Sequence, residues 1–208
     1  MDHLSSSDFK KVYEPSEDTF LLLDALELEK EEICGRSPMI IAELGPGSGV
    51  VICSLCKMLQ SQKYSNYQAF AFDCNPDALE LTAKTAKVHE NDSLNLVQSD
   101  LLSSLRDQSL DLLLFNPPYV VSESDEIALE GIQSSYAGGV DGMEVVNRAM
   151  PQIERVLSVQ GVLYLLLVSD NKPTEFISNL DVSKWRTEVI LKKQSFNERQ
   201  VILKLQKL

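Results

Sequence analysis

Apolar residues along this chain fall into short blocks with two kinds of spacing. Short continuous apolar runs, bounded by glycine, proline or acidic residues, predict buried β-strands. Longer runs with apolar residues three and four positions apart predict helices. The two kinds of block follow each other in regular alternation, which is typical of folds built from strand and helix units.

Seven strands and five helices are predicted. The strands are MIIAEL (39–44), QAFAFD (68–73), LNLVQSD (94–100), SLDLLLF (109–115), GVLYLLLV (161–168), WRTEVILKKQ (185–194) and RQVILKL (199–205). The helices are PSEDTFLLLDALELEKEEI (15–33), VVICSLCKML (50–59), NPDALELTAKTAKVHE (75–90), MEVVNRAMPQIERVLS (143–158) and KPTEFISNL (172–180). Strands that are apolar along their whole length indicate a parallel sheet covered on both faces. We therefore expect one α/β domain over residues 1–208, doubly wound and mostly parallel, with a C-terminal antiparallel hairpin and a flexible stretch at residues 1–11.

Composition narrows the function. The 208 residues carry 31 acidic and 19 basic side chains, a formal net charge of −12. Binding of long nucleic acid needs a basic surface, so this balance favours a small-molecule enzyme or a basic partner. Cys53 and Cys56 form a C-x-x-C without a second pair, and we expect them to be small apolar residues inside a helix and to bind no metal. Without a leader or an apolar run of membrane length, the chain is expected to be cytoplasmic, with a nuclear location left open.

Ligands of doubly wound folds bind beyond the carboxyl ends of the strands. The first strand ends in AELGPGSG (42–49), with glycines at 45, 47 and 49 and a carboxylate at Glu43. This G-x-G-x-G differs from the dinucleotide G-x-G-x-x-G, and a tight strand-to-helix turn is the alternative. The second strand ends at Asp73, placed to accept hydrogen bonds from a ribose diol or, alternatively, to cap the next helix. The third ends at Asp100, which could accept from a purine amine.

These strand ends offer acceptors and small residues, with no lysine or arginine to meet a phosphate group. The ligand they indicate is a nucleoside of little negative charge. S-adenosylmethionine, with its cationic sulfonium, matches that description.

The fourth strand runs into Asn116, Pro117, Pro118 and Tyr119. The prolines lack N–H donors and hold the backbone extended, which leaves carbonyl groups free to accept. The Asn116 side chain and the Pro117 carbonyl can each take one N–H of a substrate NH2 group, while the Tyr119 ring covers a planar group. Such a corner gains rate by positioning and needs no strong base. The alternative is a simple strand terminator.

These features together resemble the class I S-adenosylmethionine-dependent methyltransferases with the signature [D/N]-P-P-[Y/F/W], which have a Rossmann-like fold. The similarity is closest to the HemK-type N5-glutamine methyltransferases, in the short eukaryotic and archaeal branch that methylates the glutamine of the G-G-Q motif in class I peptide release factors. It spans residues 12–205 and includes YEPSEDTFLLLDALE (13–27) and YAGGVDGMEV (136–145). It implies cofactor contacts at Thr19, Glu43, Gly45, Gly47, Asp73, Asp100, Leu101 and Asn116, and catalysis by Asn116, Pro117 and Tyr119.

The resemblance also implies a heterodimer with a small activator protein that carries the zinc ion and covers apolar surface. The methyl acceptor stays open at this point between a protein glutamine, a protein lysine such as one in a histone, and adenine N6. An adenine enzyme would need a basic groove, and a lysine would first have to lose its charge. The acidic stretch with Glu123, Asp125, Glu126 and Glu130 favours a basic protein partner, with a merely solvated loop as the alternative.

Overall fold

The computed structural model describes residues 3–91, 93–124, 136–195 and 198–208. The helices are α1 (Glu17–Leu28), α2 (Lys30–Arg36), α3 (Val50–Ser61), α4 (Pro76–Val88), α5 (Glu144–Val156) and α6 (Pro173–Asn179). The strands are β1 (Ile40–Leu44), β2 (Gln68–Asp73), β3 (Leu94–Gln98), β4 (Leu110–Phe115), β5 (Leu157–Val168), β6 (Trp185–Ser195) and β7 (Glu198–Lys207). Short 3-10 helices cover Asp8–Lys10, Val140–Gly142 and Ser169–Asn171.

The seven strands form one sheet in the order β3-β2-β1-β4-β5-β7-β6. The first five are parallel, and β7 pairs antiparallel with both β5 and β6. The chain reverses direction in the sheet order between β1 and β4, which is where doubly wound folds open a crevice for a ligand. The predicted seven-stranded sheet and its C-terminal hairpin are confirmed.

Alternate residues of the central strands serve two separate cores. Ala42 and Leu113 pack with α5 and α6 on one face, while Ile41 and Leu112 pack with α1 and α3 on the other. Every residue of β4 except the half-buried Asp111 is buried. The period of two in a strand explains how one apolar run supplies both layers.

Two details differ from the sequence pattern, and the cysteines agree with it. The β3 strand lies at the edge and most of it is exposed, so it is not covered on both faces as its apolar residues suggested. The single predicted first helix is two, because the chain leaves helical geometry at Glu29. Cys53 and Cys56 are buried free thiols in α3, as expected, and no group of metal-ligating side chains occurs in the part of the chain that the structure describes.

None of the helices in the described ranges is long and apolar enough to cross a membrane.

Candidate active site

A cavity of about 260 Å³ opens at the carboxyl ends of β1, β2 and β4. Its lining includes every predicted site residue: Thr19, Glu43, Gly45, Gly47, Asp73, Asp100, Leu101, Asn116, Pro117 and Tyr119. Strand ends that are far apart in sequence meet here because parallel strands present their carboxyl ends at one edge of the sheet.

The glycine loop between β1 and α3 holds three glycines with positive φ, and each has its own surroundings. At Gly45 (φ +66°) an added Cβ would meet no protein atom within 4 Å, so it would project into the open space of the cavity. At Gly49 (φ +76°) a Cβ would lie 2.8 Å from Thr82 Cγ2 in α4. Gly45 therefore keeps the cavity free for a ligand, whereas Gly49 lets α3 pack on α4.

Glu43 is buried in β1, and its Oε2 accepts the backbone N–H of Ile52 at 2.9 Å. Burial raises the pKa of this carboxyl group well above its usual range, and the single N–H donor offsets only part of that effect. Its fixed position beside the glycine loop anchors the start of α3, where N–H groups lack partners within the helix.

Asp73 ends β2 and is half-buried in the cavity wall. Its Oδ1 accepts the backbone N–H of Asn75 at 2.9 Å, while the cap of α4 is the Asn75 side chain, which accepts from Asp77 N. Asp73 is therefore not the helix cap. Burial raises the pKa of Asp73 to about 6, so its full negative charge, and its strength as an acceptor for a diol, develop above that pH.

Asp100 lies exposed at the mouth of the cavity and forms a salt bridge with Arg148. Both of its carboxylate oxygens accept from Arg148 Nη2, at 2.9 and 3.1 Å. The next residue, Leu101, has a left-handed backbone (φ +52°), which turns the chain sharply beside the cavity. Arg148 is a cavity residue that the strand-end argument missed, although its charge is matched by Asp100 instead of being free for a phosphate.

Asn116 is the most informative side chain in the cavity. Its Nδ2 donates to Asp18 Oδ2 at 3.1 Å, while its Oδ1 is buried and has no hydrogen-bond partner. An ionised carboxylate only accepts, so Asp18 fixes which end of the amide faces it. The Oδ1 atom is then left as an acceptor aimed away from Asp18, and an unsatisfied buried acceptor is costly unless a ligand completes it.

Asp18, the second residue of α1, collects donors on both carboxylate oxygens. Its Oδ2 accepts from Asn116 and from the Tyr119 hydroxyl at 3.2 Å. Its Oδ1 accepts the Thr19 backbone N–H at 2.7 Å and, at 3.5 Å, the Tyr13 hydroxyl. Asp18 is only 2% exposed, and no lysine, arginine or histidine in the described ranges pairs with it. It therefore holds the Asn116 and Tyr119 side chains in one arrangement.

Tyr119 and Thr19 are both fixed through this carboxylate. Burial, and then the negative charge of Asp18, raise the pKa of Tyr119, so its hydroxyl stays protonated as a donor. The Thr19 hydroxyl donates to Asp18 at 3.4 Å and accepts the Ser16 backbone N–H at 3.3 Å. The start of α1 is thus built into the cavity wall.

The backbone after Asn116 rests on the block at residues 136–145. A Cβ on Gly138 would lie 2.8 Å from the Pro118 carbonyl oxygen, and one on Gly142 would lie 2.0 Å from that of Tyr119. Asn171, buried after β5, donates through Nδ2 to the Tyr119 carbonyl at 3.0 Å. The glycines and Asn171 together set the path of the corner.

Comparison with known proteins places this chain in a family. Residues 17–196 match the methyltransferase small domain family. The chain belongs to that family. It is 38% identical to "Methyltransferase HEMK2" of Homo sapiens, over 99% of this chain and 94% of that protein. It is 33% identical to "eRF1 methyltransferase catalytic subunit mtq2" of Schizosaccharomyces pombe, over 97% and 92%.

A solved structure extends the likeness to three dimensions. The E. cuniculi Mtq2–Trm112 complex, responsible for methylation of the eRF1 translation termination factor, contains a chain that superposes with a TM-score of 0.69 and 31% identity, over 95% of this chain and 99% of that one. The expected class I methyltransferase fold is confirmed. This chain is a methyltransferase.

The methyltransferase cavity suits a nucleoside ligand with little negative charge. The carboxyl groups of Glu43 and Asp73 provide oxygen acceptors, and Gly45 provides open space for the ligand. The predicted residues thus surround one cavity, although the sequence missed Asp18, Arg148 and Asn171. The one available signal for Asp18 was an acid two residues after a helix cap, which is also ordinary at any helix N-terminus.

Proposed function

We propose that this methyltransferase transfers the methyl group of S-adenosylmethionine to the side-chain amide nitrogen of a glutamine, in the G-G-Q motif of a class I peptide release factor. The observation that carries the proposal is the buried Oδ1 of Asn116, an acceptor without a partner in the cavity wall. A primary amide supplies the N–H group that would complete it.

The cofactor, when bound, supplies a methyl group activated by its sulfonium. Thr19, Glu43, Gly45 and Gly47 line the part of the cavity that we assign to its methionine end, and Asp73 the part for its ribose. For adenine we assign the region of Leu101 and of the paired Asp100.

The substrate nitrogen is held by acceptors. Asn116 Oδ1 takes one N–H and the Pro117 carbonyl takes the other, which places the nitrogen lone pair toward the methyl group. The amide group is planar, and the Tyr119 ring covers it while its hydroxyl stays bound to Asp18. As the nitrogen bonds to the methyl carbon, the carbon–sulfur bond breaks, the sulfur leaves as a neutral thioether, and the nitrogen releases one N–H proton to solvent. The chain thus contributes orientation, which is the main source of rate here.

The contacts of Asp18 favour an amide over a lysine as methyl acceptor. A lysine must lose a proton before it can attack, and Asp18, the nearest carboxylate to Asn116, already accepts from five donors. It is therefore poorly placed to act as a base. Adenine N6 in nucleic acid is disfavoured by the net charge of −12. The two relatives named for eRF1 methylation support the glutamine assignment.

We further propose that a small zinc-binding activator pairs with this chain, as Trm112 does with Mtq2. The open edge of the sheet at β3 supports such a contact, since its outer side pairs with no other strand in the described ranges. Leu96 on that strand and Val88 at the end of α4 are 36% and 56% exposed. Edge strands with exposed apolar residues are common docking sites for a partner. A cytoplasmic location, where release factors act, belongs to the same proposal.

The test is methylation of a purified release factor by this chain with its activator, followed by mass spectrometry. We expect one methyl group on the G-G-Q glutamine and none on the Gln→Ala variant of the same factor. Equal labelling of the two factors would reject the glutamine assignment. Labelling of histone peptides or duplex DNA in their place would identify lysine or adenine as the acceptor.

Replacement of the proposed acceptor itself gives the second test. Asn116→Ala should lower turnover by about three orders of magnitude, because it removes both the substrate acceptor and the orientation it provides. Cofactor affinity, measured by calorimetry, should change by less than about tenfold. Near-normal turnover in this variant would contradict the proposed hydrogen bond from the substrate amide to Asn116.

A further inference from the structure

A second cavity lies on the α5 and α6 side of the sheet, away from the one already described. It is an open groove of about 670 Å³ between α5, α6 and the turn Val140–Gly142. Half-buried Met150, Phe176 and Leu180 supply apolar surface over the core, and Trp185 is buried beneath. A groove of this form can take an apolar side chain of a partner.

Acidic side chains outnumber basic ones among the polar groups of the groove. Pro151 lies inside α5 and lacks an N–H, so the carbonyl of Asn147 one turn earlier has no helical donor. Five carboxylates line the groove, at Asp141, Glu144, Glu154, Glu175 and Asp181, against the one lysine, Lys172, among its described lining residues. This excess of acidic side chains favours an occupant that carries positive charge.

Several of these acids are already engaged, which identifies the free one. Asp141 pairs with Lys172 at 3.0 Å, and Glu154 pairs with Lys184 at 2.6 Å. Within the described ranges, the Glu175 carboxylate has no ion pair and no hydrogen bond, and it is exposed on α6. Glu175 is thus available to a cation from outside.

The groove is joined directly to the substrate corner. Asn171 lines the groove and also donates to the Tyr119 carbonyl. Glu144, another lining residue, accepts from Ser124 at 2.5 Å and so holds the start of the acidic stretch after Tyr119. A chain whose glutamine lies at Asn116 could continue into this groove.

We propose that the groove docks a basic segment of the protein substrate, with an apolar side chain on Phe176 and Leu180 and a lysine or arginine on Glu175. This inference rests on the proposed function, since it concerns the same substrate at a second contact. The groove adds affinity for the folded protein and leaves the chemistry at Asn116 unchanged.

The experiment compares KM and kcat for the intact release factor and for a short peptide around its G-G-Q motif. Glu175→Lys and Asn179→Lys place positive charge at the two ends of α6. A lysine at position 175 interacts unfavourably with the helix dipole, and a lysine at position 179 interacts favourably with it. A change in KM that both variants share therefore does not come from the dipole. Asp24→Lys, at an exposed position of α1 on the other face of the sheet, is the control.

Both groove variants should raise KM for the intact factor about three- to tenfold, with kcat and cofactor affinity unchanged. The peptide, which does not reach the groove, should show no change. The inference is overturned if the groove variants match Asp24→Lys, if the peptide is affected equally, or if only the oligomeric state of the enzyme changes. If the unaltered enzyme labels the Gln→Ala factor equally, the proposed function fails and the docking inference with it.

Discussion

The two ends of α1 each carry a carboxylate in a protected position, and the structure satisfies them by different means. At the N-terminal end, Asp18 accepts from backbone N–H, hydroxyl and amide groups. At the C-terminal end, Glu29 binds the ammonium group of Lys204 at 2.5 Å and the Tyr164 hydroxyl at 3.1 Å. Lys204 is 3% exposed and also reaches Glu32 at 2.6 Å.

The difference separates a structural carboxylate from a functional one. The ammonium group of Lys204 neutralises the charge of Glu29. Arg36 extends the same network by donating to Glu32 and Gln206. The charge of Asp18 meets only dipoles, helped by the N-terminus of the helix. Its donors include Asn116 and Tyr119, the two side chains that we propose contact the substrate. A protected carboxylate without a cation is thus the better marker of the end of α1 that lines the cavity.

The largest effect is expected at the structural end. Lys204→Met should lower the free energy of unfolding by about 3 kcal/mol, because the Glu29 carboxylate, 16% exposed, loses its cation, whereas Glu32 keeps Arg36. Urea denaturation measures this, and kcat of the folded fraction should stay normal. The double variant Lys204→Met, Glu29→Gln should recover part of the loss. A fall in kcat that tracked the loss of stability would show that the two ends are not separate.

At the N-terminal end of α1, a substitution should affect turnover much more than stability. Asp18→Asn keeps the size of the side chain but turns one acceptor atom into a donor, so the amide of Asn116 is no longer fixed with its oxygen outward. We expect kcat to fall about 100-fold, roughly 2.7 kcal/mol in activation free energy, with a small change in unfolding free energy. Glu29→Gln is the control, and it should lower stability while leaving kcat intact. Unchanged turnover in Asp18→Asn would remove Asp18 from the positioning role.

The smallest and sharpest comparison uses two tyrosines that each donate to one of these carboxylates. Tyr164→Phe should cost about 1 kcal/mol of unfolding free energy and leave kcat unaltered. Tyr119→Phe should lower kcat about five- to tenfold with a smaller effect on stability, since it loosens the ring over the substrate. Thermal denaturation and steady-state kinetics on both variants provide the answer. Identical profiles for the two would contradict the division drawn here.

The fold could be predicted from the sequence because a short apolar run marks each central strand. The apolar run Leu112–Phe115 has no polar face, and only a strand covered on both sides accommodates that. The predicted cavity residues followed from topology, since parallel strands must end at one edge. The edge position of β3 did not follow, because its residues resemble those of a buried strand and only the pairing order exposes them.

The partners of the site residues could not be predicted. Nothing local distinguishes Asp18 from Glu17 beside it, and only the arrival of Asn116, 98 positions later, gives it a role. Arg148 lies in α5 and Asn171 follows β5. The contact of Arg148 with Asp100, and that of Asn171 with the Tyr119 carbonyl, depend on how α5 and β5 pack. Residue type and spacing therefore predicted which groups face the cavity, whereas the orientation of each group required the tertiary structure.

The hydrogen bond from Asn171 to the Tyr119 carbonyl has a consequence for folding during synthesis. The corner sequence ends at Tyr119, yet the residue that holds its backbone lies 52 positions later, after β5. A nascent chain that has emerged only as far as β4 contains the motif without its geometry. The corner at Asn116 is therefore completed only after β5 and the residues that follow it have emerged.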